Sequence, residues 1–128
     1  MSLKESMSEN EQLSAVEKSS LVVEAIQAKK GHEIVTIDLS EVEHSICDSF
    51  IICHGESTTQ VAAIADSIAK ELKEKAGIRA HHVEGVQNSQ WVLIDLFDVL
   101  VHVFLEDYRS FYKLEELWAD GKVVRVKE

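Results

Sequence analysis

The sequence predicts an α/β (α+β) single domain, a mixed sheet of about five strands packed with helices. Three observations predict it. Periodicities of 3.6 and 2 follow one another as helix, strand, strand, helix, then three strands, the order of a layered mixed sheet. The 128 residues include no proline, and no repeat or low-complexity tract marks a linker. A chain of this length fits one domain and buries roughly two-thirds of the surface its unfolded form exposes.

The elements follow in order. Residues 1–10 are polar and expected to be flexible, leaving 11–128 as the domain. From Glu11 to Lys30, Leu13, Val16, Val23 and Ile26 suit a helix that Gly31 would end. "EIVTIDLS" alternates and is β-branched, a strand around Ile34 to Asp38. "EVEHSICD" is a short connector with room for one helical turn. "SFIICH" is a continuous apolar run of strand length, suited to the middle of a sheet.

"GESTTQVAAIADSIAKELKEKAG" is the clearest helix. Ser57 and Gln60 form a capping box. Val61, Ile64, Ala65, Ile68 and Leu72 make one stripe, and Gly77 supplies a left-handed stop. "IRAHHVEG" is a third strand ending at Gly85. Strands Gln90 to Asp95 and Asp98 to Phe104 lie so close that they must form a hairpin. In the tail, "KLEELWADG" is a short amphipathic turn with Leu114, Leu117 and Trp118 on one side.

The net charge of −10 disfavours gripping nucleic-acid phosphates, whose binding relies on Lys and Arg, and suits a basic protein partner. No apolar run approaches the ~20 residues of a membrane span. "MSLKESMSENEQ" lacks the pattern of a secretory signal, and its Glu5, Glu9 and Glu11 argue against an organelle transit peptide. A cytoplasmic location is expected by elimination, with Cys47 and Cys53 as two buried thiols rather than a disulfide.

The chemistry concentrates in "NSQWVLIDLFDVLVHVFLEDYRSFY". With a tight turn at Leu96 and Phe97, Asp95 would face Asp98, Leu93 would face Leu100 and Trp91 would face His102. These six share one side of the hairpin by alternation. Val92, Ile94, Val99, Val101 and Val103 fill the other side, which is core. Facing acids repel by up to about 1 kcal/mol. Two readings therefore stand: turn-flanking acids in water, or an aromatic and acidic patch that meets a cationic partner. Arg109 and Tyr112 could add polar tips to such a patch. From Asn88 to Asp120 there are seven acids against two bases, half the net charge.

Catalysis is disfavoured. Metal-dependent nucleotide transfer needs two carboxylates one residue apart on a strand, whereas Asp95 and Asp98 are three apart. Ser57 at a helix start could hold a phosphate, but a cap explains it more simply. His81 and His82 are adjacent, so on a strand they point to opposite faces, and the cysteines lack spaced metal partners. No cofactor and no metal are expected.

"DSFIICHGESTTQVAAIAD", "VEG", "WVLIDLFDVLVHVF" and "RSFYKLEELW" resemble, in order and spacing, the ribosomal silencing factor (RsfS, Iojap) family from about Leu13 to Asp120. The resemblance implies a nucleotidyltransferase-like fold without its catalytic acids. It implies binding to ribosomal protein fourteen of the large subunit, where the protein would sterically block joining with the small subunit and repress translation under nutrient limitation. Free members often form homodimers. The alternative is a nucleotidyltransferase-like enzyme with a phosphate site near Ser57. By matched position the family signature falls on Asp48, Gly55, Ser57, Glu84, Gly85, Trp91, Asp95, Asp98, His102, Arg109, Tyr112, Leu114 and Trp118. Of these, Trp91, Asp95, Asp98, His102, Arg109 and Tyr112 are assigned to the partner-facing patch. Two positions depart from the pattern: Phe97 replaces the glycine of many relatives, and His54 stands where a small residue is usual.

Overall fold

A computed structural model describes residues 13–45, 47–113 and 121–127, with the side chains of Phe111 and Tyr112 outside that description. The segment 1–10 and the expected turn bearing Leu114, Leu117 and Trp118 fall outside the described residues.

Helix α1 (Ala15–Ala28) begins at a reciprocal cap, later than the Glu11 start read from the sequence. Ser14 Oγ accepts from the Glu17 N–H, and Glu17 Oε1 accepts from the Ser14 N–H. Its end is a Schellman closure in which Lys30 takes the left-handed conformation (φ 59°). Lys30 donates to Gln27 O and Gly31 to Ile26 O. The buried stripe is Lys18, Val22, Ala25 and Ile26, while Val16, expected on it, is 75% exposed.

Strand β1 (His32–Asp38) leads through turns, with no helical turn among the described residues of the connector, to β2 (Ser49–Gly55). Helix α2 (Thr58–Ala76) matches its expected stripe, Ser57 cap and Gly77 stop in the left-handed conformation. The capping box is half realised: Ser57 Oγ accepts from the Gln60 N–H, but Gln60 Oε1 accepts from Glu56 N at 2.7 Å. Gln60 Nε2 also donates to Lys29 O and Lys30 O, tying the start of α2 to the end of α1.

Strand β3 (His82–Glu84) is only three residues long and exposed, shorter than "IRAHHVEG" suggested. Strands β4 (Trp91–Asp95) and β5 (Val99–Leu105) form the hairpin, followed by α3 (Glu106–Tyr112) and β6 (Lys122–Arg125). The sheet order is β3-β4-β5-β2-β1-β6, six strands where about five were expected. Only the central β2–β5 pair is parallel, and the other pairs are antiparallel.

Each sheet face carries its own apolar layer. Under α1 and α2 lie Ile34, Ile51, Cys53, Val92, Ile94, Val99, Val101 and Val103. On the other face, Val35, Ile37, Leu39, Cys47, Phe50, Ile52 and Phe104 form a second cluster, joined at its margin by Trp91, Leu100 and Tyr108. Both cysteines are free and buried, as expected, and burial pushes their thiols up to about 11 for Cys47 and about 12 for Cys53.

Candidate partner-binding site

The hairpin register differs from the expected one by two residues. Trp91 pairs with Phe104, Leu93 with His102 and Asp95 with Leu100. Side chains alternate with period 2, so a two-residue shift keeps each strand residue on its expected face. Trp91, Leu93, Asp95, Leu100 and His102 still share one side, and the valines still face the helices. Asp98, however, leaves the strand and no longer faces Asp95.

Four residues connect the last strand pair. Leu96 N donates to Val99 O at 2.9 Å, and Asp98 N to Leu96 O at 3.1 Å. Phe97, central in this second, three-residue turn, has φ 74°. Asp95 Oδ1 accepts from the Phe97 N–H at 2.8 Å, so this carboxylate braces the turn. Asp98 is paired instead with Lys18 Nζ at 2.9 Å, and Lys18 is itself buried. That ion pair removes the repulsion expected between facing acids. Sequence reasoning missed Lys18, although its place four residues before Val22, on the α1 stripe, was a usable signal.

His102 is 6% exposed within the second apolar cluster. Its Nδ1 accepts from Trp91 Nε1 at 3.1 Å, and its ring meets Phe50 edge-on with centroids 4.9 Å apart. Burial lowers its pKa to about 4, so the ring is neutral and its proton lies on Nε2. That Nε2 has no hydrogen-bond partner among the described residues. Trp91, half-buried, also packs on Phe104 at 4.8 Å.

Arg109 does not join Asp95 and Asp98. It lies beyond the end of β5, and Asp98 precedes that strand, so roughly 20 Å of sheet separates them. Arg109 is 7% exposed, with Nη1 3.0 Å from His54 Nδ1 and 3.4 Å from His32 O. A guanidinium only donates, so His54 Nδ1 accepts. Burial first, then Arg109, lowers the His54 pKa. A bulge in β1, where Glu33 has φ 46°, brings the His32 and His54 rings to 5.5 Å. His54, out of pattern in the sequence, is thus the acceptor that holds Arg109. Tyr112 lies on α3, its side chain outside the described residues.

The phosphate reading near Ser57 meets an occupied helix start, with the Ser57 hydroxyl on Gln60 N and the Glu56 N–H on the Gln60 amide. Among the described residues, no three His, Cys, Asp or Glu side chains converge to hold a metal ion.

The family model described as "Ribosomal silencing factor during starvation" (RsfS) matches residues 12–128. The ribosomal silencing factor RsfS of Halalkalibacterium halodurans is 43% identical over 107 residues, covering 84% of this chain and 90% of that one. A crystal structure of a Chromobacterium violaceum protein superposes with TM-score 0.79 at 36% identity, covering 91% of this chain and 95% of that one. More distantly, the mouse protein named "Mitochondrial assembly of ribosomal large subunit protein 1" is 26% identical over 100 residues, 77% of this chain and 43% of that one.

Proposed function

The chain belongs to the RsfS family of ribosomal silencing factors, and from that premise we propose that it docks on the large ribosomal subunit and represses translation by steric exclusion. In this reading it binds ribosomal protein fourteen on the face that meets the small subunit, and its bulk prevents subunit joining when nutrients are scarce. It works in the cytoplasm, without catalysis, cofactor or specific nucleic-acid contact, and pairs as a homodimer when free. The name of the mouse relative, which mentions the large subunit, supports that choice of particle.

The observation that carries this reading is Trp91, a half-buried indole at the margin of an apolar face, held in pose by His102. Aromatic anchors of this kind supply much of the energy of protein interfaces. Trp91, Asp95 and Tyr112 meet the partner. His102, Asp98 and Arg109 shape the surface from behind, through Trp91, the Lys18 pair and His54 respectively. The test is Trp91→Ala in cosedimentation with purified large subunits. The expected result is a folded protein whose affinity drops by about 30-fold, equivalent to ~2 kcal/mol. A variant that folds and sediments with large subunits as the wild type does would refute the site.

A further inference from the structure

The tip of the β4–β5 hairpin combines two features that the fold alone does not require. Phe97 is 68% exposed, the one aromatic among the large apolar side chains exposed in the described residues. It also occupies the centre of a three-residue turn at φ 74°. For a residue with a side chain this left-handed conformation is strained, and such strain persists only where surroundings over-determine it.

The surroundings do so here. Asp95 Oδ1 holds the Phe97 N–H at 2.8 Å. Lys18 Nζ reaches Leu96 O at 3.4 Å and Asp98 Oδ1 at 2.9 Å. The Asp98 carbonyl accepts from Asp48 N and Ser49 N, at 2.9 and 3.1 Å. The His81 ring rests against Phe97 with centroids 4.1 Å apart. The result is a rigid turn that displays an aromatic ring toward solvent, beside the Asp95 carboxylate, which pairs with no lysine or arginine side chain among the described residues. Glycine would relieve the strain without uncovering core.

We propose that Phe97, together with the Asp95 carboxylate, receives an arginine or lysine side chain from the basic protein surface on which this chain docks. An exposed aromatic face attracts such a cation, and the neighbouring carboxylate adds charge complementarity. The acidic balance of the whole chain, −10, favours the same partner chemistry over a phosphate backbone. The proposal rests on the large-subunit reading above and adds to it a second anchor, at the opposite end of β4 from Trp91.

The experiment measures cosedimentation of purified large subunits with the wild type, Phe97→Gly, Phe97→Leu, Phe97→Tyr and Trp91→Ala, alongside their melting temperatures. Phe97→Gly is expected to bind about 5- to 30-fold more weakly while melting no lower than the wild type. Phe97→Tyr retains affinity to within about twofold, and Phe97→Leu loses at least about fivefold. Should Phe97→Gly melt early, the Leu and Tyr pair decides. Wild-type binding by both Phe97→Gly and Phe97→Leu, with Trp91→Ala impaired, overturns this proposal and leaves the docking reading standing. Retention by Phe97→Leu alone overturns the cation assignment. If the wild type itself does not sediment with large subunits, both the docking reading and this proposal fall.

Discussion

At the scale of single residues, His102 joins the apolar layer to the candidate docking surface. Its Nδ1 is committed to the Trp91 indole, and its buried Nε2–H lacks an acceptor among the described residues. An unmet buried donor costs about 1–3 kcal/mol, so a phenylalanine would be the cheaper filler between Phe50 and Phe104. The depressed pKa, about 4, also sets a pH dependence. Between about 6.5 and about 4 the unfolded chain binds a proton at this position that the folded chain does not. Stability is therefore full above the unfolded pKa and falls as pH drops toward the folded one, by up to ~1.4 kcal/mol per pH unit. Burial lowers His54 as well, adding loss in the same direction. Urea unfolding across pH 4.5 to 7 should show this slope, and His102→Phe should lessen it. An unchanged slope in that variant would mean that His102 is not the titrating group.

At the scale of elements, the turn between β3 and β4 is the most exacting. Gly85 has φ 86°, and a Cβ there would run into the Trp91 carbonyl oxygen. Gly85→Ala should destabilise the domain by about 2–4 kcal/mol, from backbone conformation and overpacking together. A melting temperature equal to the wild type's would refute that. Helix α2 was legible in the sequence apart from the second half of its capping box, because cap, stripe and stop all agree on one answer. Helix α1 was legible in part: of Leu13, Val16, Val23 and Ile26, Ile26 is buried and Leu13 and Val23 pack partly against the core, but Val16 is exposed and the stripe also runs through Lys18 and Val22. The faces of β4 and β5 were legible from alternation. Their register was not, since a shift of two preserves every face and Phe97 names no standard hairpin turn. Strand β6 escaped notice because its residues are exposed on the sheet edge, with no buried alternation to announce them. For the site, the sequence brought Trp91 and His102 together correctly as same-face neighbours. The assignment of Arg109 to the same patch overlooked that the predicted strand from Asp98 to Phe104 already carries the chain away, leaving Arg109 at the far end of β5 from Asp98.

At the scale of the whole molecule, charge governs encounter more than grip. With a net charge of −10, association with a basic partner should be steered, so its rate constant should fall as salt rises while dissociation changes less. Stopped-flow association measured across a salt series would reveal this, and a salt-independent association rate would count against a basic target. The sheet order has a different consequence, one of timing. The two central strands, β2 and β5, are joined by α2 and the outer β3–β4 segment, so Ser49 meets Val99 across fifty residues of chain. As the chain leaves a translating ribosome, the apolar β2 edge waits without its parallel partner until the hairpin has been synthesised. Closing so long a loop is slow, and slow folding with an uncovered central strand is when aggregation competes. A member of the ribosomal silencing factor family is therefore itself most exposed while a ribosome is still making it.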